Sequence, residues 1–290
     1  MHGKAEFHGG EFDSAIYSPP WDSGGDERLR ARLKIATNFE RPSTTDDSPD
    51  SLFDEGLAAS PIPSDIAVVG DMEPASSCAP PIPGLFFTPS LLLPLELADQ
   101  ITEFCLKHYF NRPGVNQIML FGAASDSTPW SGLPPILLEL LASMSVLLQP
   151  SLPPEIHALL FPRTPTHARQ AILNLYHPGE GITSHVDLLK RFGDGIVGLS
   201  LGSSCVMQFA RVEEADDNVR PKQLFLPERT MIVLSGDARY AWTHGIEKRT
   251  TDLVVDAETF RIVERGVRLS ITFRWLLASE DVVGLEVTEP

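Results

Sequence analysis

Apolar residues between positions 94 and 110 fall at Leu97, Ile101, Phe104 and Cys105, followed by His108 and Tyr109, close to the period of a helix. Glu96 lies early in the segment, where the helix dipole favours an anion. An amphipathic helix is expected there, with Tyr109 in the core. A second helix is expected over 135–148, and the Pro-rich stretch 150–165 separates it from the C-terminal half of the chain. Beyond that stretch the pattern changes. Short runs with β-branched or alternating residues recur at 171–176, 195–201, 206–210, 223–226, 231–234 and 269–275, punctuated by Gly and charged turns. Many short strands after two helices predict a mainly β fold with flanking helices, a sandwich or jelly roll with an N-terminal helical and lid region.

Composition sets the limits of that fold. Residues 1–79 are rich in Pro, Ser, Asp and Gly and too poor in apolar surface to offset chain entropy, so they are expected to form a disordered acidic tail. Within it, the run from Glu27 through Arg28, Arg30, Arg32 and Lys34 to Ile35 predicts a short basic helix. Compact apolar sequence begins near Pro83-Gly84-Leu85-Phe86-Phe87. One domain is therefore expected over 80–278, with lid and support helices at 80–165, a strand core at 166–278 and a C-terminal tail at 279–290.

Charge and cysteine usage exclude several classes. The 23 basic and 39 acidic residues give a formal net charge of −16, which opposes tight, unaided binding to phosphate backbones. Cys78, Cys105 and Cys205 are odd in number and lack CxxC spacing, so small buried thiols are expected rather than disulfides or a zinc cluster. No apolar leader opens the sequence, and no stretch approaches the ~20 apolar residues that cross a bilayer. A protein of the cytoplasm and/or nucleus, away from membranes, is expected.

Chemistry concentrates late in the chain. His185-Val186-Asp187 sets two ligands two residues apart, which on an extended strand puts both on one face. His244, in Trp242-Thr243-His244-Gly245-Ile246, supplies a third. Two histidines and one carboxylate leave three open positions, the arrangement of non-haem iron(II) oxygenases, whereas a closed zinc site wants thiolates or a fourth ligand. Arg268 and Arg274 lie six residues apart and so on one face of a late strand. A strand buries two arginines only where each meets an anion, either in structural salt bridges or on the two carboxylates of 2-oxoglutarate. Asn174 and Tyr176 share a strand face before the HxD pair and are able to donate to the same dicarboxylate.

Together these residues carry a resemblance. Asn174 and Tyr176 before Pro178-Gly179, His185 with Asp187, Ser200-Leu201-Gly202-Ser203, Gly236 with Arg239-Tyr240, Trp242 and His244-Gly245-Ile246, and Arg268 with Arg274 are similar to the AlkB homologue family across residues 83–277. The resemblance implies a double-stranded β-helix, iron(II) as metal, 2-oxoglutarate and O2 as cosubstrates, and oxidation of alkyl groups, usually on nucleobases. It also implies that Arg268 and Arg274 hold the distal and proximal carboxylates of 2-oxoglutarate, with Asn174 and Tyr176 assisting. On that basis both arginines are expected to affect the cosubstrate more than the metal.

Members that repair methylated bases usually carry acidic residues after the HxD pair, whereas this chain has Leu188-Leu189-Lys190-Arg191. The runs 195–203 and 239–246 look more like the branch that hydroxylates a wobble uridine of tRNA. In that branch an RNA-recognition motif and a methyltransferase domain flank the oxygenase, and this chain has room for neither. A nucleic-acid substrate is thus expected to arrive through a partner or the stretch around Arg28 and Lys34. The run Asn116-Gln117-Ile118-Met119-Leu120-Phe121-Gly122 resembles the lid strand, and Met119, Phe121, Trp130 and Arg239 are candidate substrate or lid residues. Two alternatives stand beside this reading: an oxygenase acting on a protein side chain, and a non-catalytic AlkB-like scaffold that binds protein partners through its tail.

Overall fold

The computed structural model describes residues 73–124, 132–212, 220–256 and 259–277. Two sheets face each other. In spatial order the first holds β12 (Thr259–Glu264), β11 (Thr251–Asp256), β1 (Ala75–Ser76), β8 (Lys222–Leu226), β7 (Cys205–Arg211), β10 (Trp242–Ile246) and β5 (Ile182–His185). The second holds β2 (Leu85–Leu92), β9 (Thr230–Leu234), β6 (Ile196–Leu201), β13 (Arg268–Trp275), β4 (Arg169–Tyr176) and β3 (Gln117–Gly122). From β4 onward the chain crosses repeatedly between the sheets, as a double-stranded β-helix requires.

β4 and β13 explain why the second sheet is dry on both sides. Every residue of β4 is buried, and β13 is buried at all but one position, although both carry polar residues. Alternate residues point opposite ways. One set, with Tyr176, Ile196, Ile232 and Leu234, packs against Phe209, Leu224 and Ile246 of the first sheet. The other set includes Leu173, Leu199, Ile271 and Phe273, all buried.

The helices account for the rest of the core. They are α1 (Leu95–His108), α2 (Pro135–Leu148), α3 (Pro154–Leu160) and the single turn α4 (Asp237–Tyr240). α2 buries Leu137, Leu140, Leu141, Met144 and Leu148, one stripe at helical spacing, each worth about 1.5–3 kcal/mol on burial. It packs on both α1 and α3. Trp275 Nε1 donates to Leu159 O at 3.0 Å, and Arg169 donates to Leu160 O, so α3 is tied to the central strands of the second sheet.

Helices α1 and α2 lie where the apolar spacing places them, and Tyr109 is buried. Three features differ from expectation. α3 forms inside the Pro-rich stretch, because Pro154 stands in its first turn, where proline's fixed φ suits a helix and its missing N–H costs nothing. β1 lies within the segment expected to be tail: Ala75 pairs with Val254 and Ser76 with Leu224, both parallel, so order begins before Pro83. The hairpin β11–β12 is absent from the expected strands, since Asp252 marks a surface position by its charge. Yet Asp252 is 0% exposed, accepting from Arg265 Nε at 2.6 Å and Nη2 at 2.7 Å, Arg249 Nε at 2.8 Å and Val206 N at 3.1 Å.

Cys105 and Cys205 are buried as expected, while Cys78 is exposed. The basic run 27–35, the rest of the tail to residue 72 and residues 278–290 lie outside the described residues.

Candidate active site

Strand pairing brings the two histidines together. β10 runs antiparallel to β5 with His244 directly opposite His185, and their rings lie 4.5 Å apart between centroids. A bulge lies between His244 and Ile246. There the backbones approach so closely that a side chain on Gly245 would sit 2.7 Å from Ser184 Cα, and one on Gly181 2.1 Å from Ile246 O. The glycine after His244 is therefore a packing requirement of the histidine pair.

Asp187 reaches the same point by a different route from the one its spacing suggests. β5 ends at His185, so Asp187 is not a strand neighbour on the same face; it projects from the turn beyond the strand. Its Oδ2 lies 3.7 Å from His244 Nε2, and one ligand atom from each of the three residues falls within 4.8 Å of the others.

The protonation states suit a cation. His185 Nδ1 donates to Thr183 O at 2.8 Å, which fixes the ring with Nε2 as the atom available to a ligand. Burial pushes the His244 imidazole down to about 4, so it is neutral at pH 7. Burial by itself would raise Asp187. Arg274, His244, His185 and Arg239 nevertheless hold it below the usual carboxylate range, so it is ionised. Two imidazoles and one carboxylate are a donor set that fits iron(II).

The arginines approach from the second sheet. β13 pairs with β4 so that Arg268 faces Tyr176, Ser270 faces Asn174 and Arg274 faces Gln170. Both arginines are buried. Arg268 donates through Nε to Ser200 Oγ at 2.8 Å, and its guanidinium lies 5.4 Å from the Tyr176 ring. Arg274 donates to Asp187 Oδ1 through Nη1 and to Gln170 Oε1 through Nε at 2.6 Å, and it stacks 3.6 Å from the centre of the Phe192 ring. The expectation that both arginines act mainly on cosubstrate is thus modified: Arg274 touches the candidate metal carboxylate itself. Gln170 is a site neighbour absent from the motifs, four residues before Asn174 on the same face of one strand.

Of the candidate lid residues, Met119 and Phe121 are half-buried on β3, opposite Ile172 and Gln170 on the face that carries Arg274. Gln117, on that same face, donates to Asn174 Oδ1 at 3.0 Å. Trp130 lies outside the described residues. Arg239 is engaged inside the protein instead. It is 2% exposed, and all three of its guanidinium nitrogens are engaged by backbone carbonyls.

The profile described as "2OG-Fe(II) oxygenase superfamily" matches residues 122–274, more than half the chain and inclusive of all three candidate ligands. The chain belongs to this superfamily. Among the relatives it matches are AlkB homologues. One relative, from Mus musculus, is named "tRNA (carboxymethyluridine(34)-5-O)-methyltransferase ALKBH8"; identity is 39% over 117 residues, covering 36% of this chain and 17% of that protein. The "Alkylated DNA repair protein ALKBH8 homolog" of Arabidopsis thaliana is 35% identical over 119 residues, 36% of this chain and 33% of the relative. The "N6-methyladenosine RNA demethylase ALKB1" of Pyricularia oryzae is 33% identical over 109 residues, covering 34% and 31%. The chain therefore matches only a minor part of the length of each of these relatives.

Proposed function

We propose that His185, Asp187 and His244 hold iron(II), that Arg274 and Arg268 receive the two carboxylates of 2-oxoglutarate with Asn174 and Tyr176 beside them, and that the alkyl group oxidised sits on a nucleobase of tRNA or another nucleic acid. The observation that carries the site assignment is the contact between its two halves: Arg274 of the second sheet donates to Asp187, between the histidines of the first. A guanidinium so placed serves the metal carboxylate and has a further N–H edge for a cosubstrate carboxylate.

With its cofactors bound, such a site inserts one oxygen atom of O2 into a substrate C–H bond and the other into 2-oxoglutarate, giving succinate and carbon dioxide. The protein supplies ligation, orientation and dryness. Neutral His244 and ionised Asp187 present lone pairs without prior deprotonation at pH 7, and His185 holds its Nδ1 proton on Thr183 O, so Nε2 is the atom it would offer. Phe209 is paired opposite His244, and Ile182 and Ile246 on the strands of the two histidines belong to the apolar core. The half-burial of Met119 and Phe121 on the face that carries Arg274 supports reading them as contacts for a flipped base.

The nucleobase reading is supported by the names of relatives, two of which specify tRNA or RNA. With a net charge of −16, such a substrate is best delivered by a partner or by the basic run 28–34. The test combines mass spectrometry of nucleosides from cells with and without the gene with succinate formation by the purified full chain. The expected result is a nucleoside that changes with genotype and succinate that rises when the matching RNA is added, both lost in Asp187→Ala. Succinate that responds to protein extract and not to any RNA would replace the nucleobase reading with a protein side chain.

A further inference from the structure

Asp187 is the one candidate ligand not held in a β-ladder. His185 and His244 are fixed by strand pairing, whereas Asp187 opens the turn between β5 and β6, and a turn by itself leaves a carboxylate free to wander. Two side chains outside the site counter this.

Arg239 reaches the turn from α4. Its Nη1 donates to the carbonyl of Asp187 itself at 3.0 Å, Nη2 to Phe192 O at 3.0 Å and Nε to Gly193 O at 3.2 Å. Only a planar fork with donors on three nitrogens spans three carbonyls in this way, which explains a buried guanidinium with no carboxylate in hydrogen-bond contact among the described residues. Asp194 completes the grip from the opposite side. Its Oδ2 accepts from Ser235 Oγ at 2.9 Å and its Oδ1 from Gly236 N at 3.0 Å. The turn that carries Asp187 and the segment 235–239 that leads into His244 are thus bonded to each other at both ends, by a cation from one and an anion from the other.

We propose that Arg239 and Asp194 form a clasp that sets Asp187 at its distance from His244, making them positioning residues for the metal although neither is among the candidate ligands. The proposal rests on the ligand assignment above. Its signature is metal affinity: loosening the clasp lets Asp187 drift from the histidines, and partners one shell outside a metal site typically contribute about 10- to 100-fold in affinity.

The experiment measures Mn(II) binding to the full chain by calorimetry without 2-oxoglutarate, for wild type, Arg239→Gln, Arg239→Lys, Asp194→Asn and Asp187→Ala, with thermal melts of each metal-free protein. Arg239→Gln is expected to bind Mn(II) about 10- to 100-fold more weakly. Arg239→Lys, which restores a donor, should recover part of the loss, and the milder Asp194→Asn should weaken binding about tenfold while remaining folded. At saturating iron both Arg239→Gln and Asp194→Asn should regain most of their turnover, with the KM for 2-oxoglutarate within about twofold of wild type. Variants that melt earlier but bind Mn(II) as wild type does would overturn the proposal, leaving the clasp as ordinary packing. Unchanged Mn(II) binding in Asp187→Ala would overturn the ligand assignment first and the clasp with it.

Discussion

Gly245→Ala tests how the two histidines are brought together. The added methyl carbon would lie 2.7 Å from Ser184 Cα and 2.8 Å from Ser184 N, with Ser184 Oγ at 2.5 Å. The hydroxyl can rotate away; the backbone atoms cannot. Non-bonded carbon contacts settle near about 3.5 Å, so β5 must withdraw from β10 by roughly 0.8 Å. Metal sites tolerate ligand displacements of only about 0.2 Å, and His185 sits on the strand that has to move. The expected outcome is a loss of at least about tenfold in Mn(II) affinity, or about 1.4 kcal/mol, together with about 1–3 kcal/mol of overpacking strain in the fold. Calorimetric titration and thermal melts measure the two separately. Gly266→Ala is the control, since its methyl would meet only Ser203 Cβ and Oγ at 3.6 Å, ordinary contact distances. If Gly245→Ala bound Mn(II) within threefold of wild type and melted with it, close approach of the two strands would not be what positions the histidines.

Arg274→Ala should weaken both Mn(II) and 2-oxoglutarate binding, whereas Arg268→Ala should raise the 2-oxoglutarate requirement about 10- to 100-fold and leave Mn(II) affinity unchanged; equal effects on metal would refute the distinct contacts of the two side chains. Acid should destabilise the metal-free protein. His244 is pushed from 6.5 to about 4 in the fold, so its contribution is present above about pH 6.5 and lost as pH falls toward 4, costing about 2 kcal/mol between pH 7 and 5. Asp187, held below its ordinary range, adds a loss in the same direction at lower pH. Denaturant unfolding at pH 7 and 5 should show a smaller decline in His244→Asn, and equal declines would rule His244 out as the cause. Finally, a chain beginning at Asp71 should melt with the full chain, whereas one beginning at Cys78 loses β1 and with it about 2 kcal/mol of pairing between β8 and β11. Coincident melts of the two truncated chains would show that β1 contributes nothing to stability.

Local pattern determined a good deal of this protein. The helical spacing of α1 and α2, six of the later strands and the ligand types His185, Asp187 and His244 are properties of neighbours along the chain, and periodicity and side-chain chemistry report them directly. The face shared by Arg268 and Arg274 comes from strand alternation in the same way, because both lie on one uninterrupted strand. Where a position depends on contacts distant in sequence, the same rules mislead. Alternation puts Asp187 on a strand that ends two residues earlier, whereas a turn is what aims it. Its place in a motif assigns Arg239 to the substrate, yet the carbonyls it binds lie 46 to 52 residues away. Asp252 lies within a strand that its charge disguises, because the two arginines that make its burial tolerable are recognisable as partners only once β11 is paired. Ala75 and Ser76 form a strand because β8 and β11 leave a gap between them, and no feature of that short segment in isolation could nucleate one. Burial and pairing are properties of the assembled sheets, and a one-dimensional pattern carries them only when the partners are near in sequence.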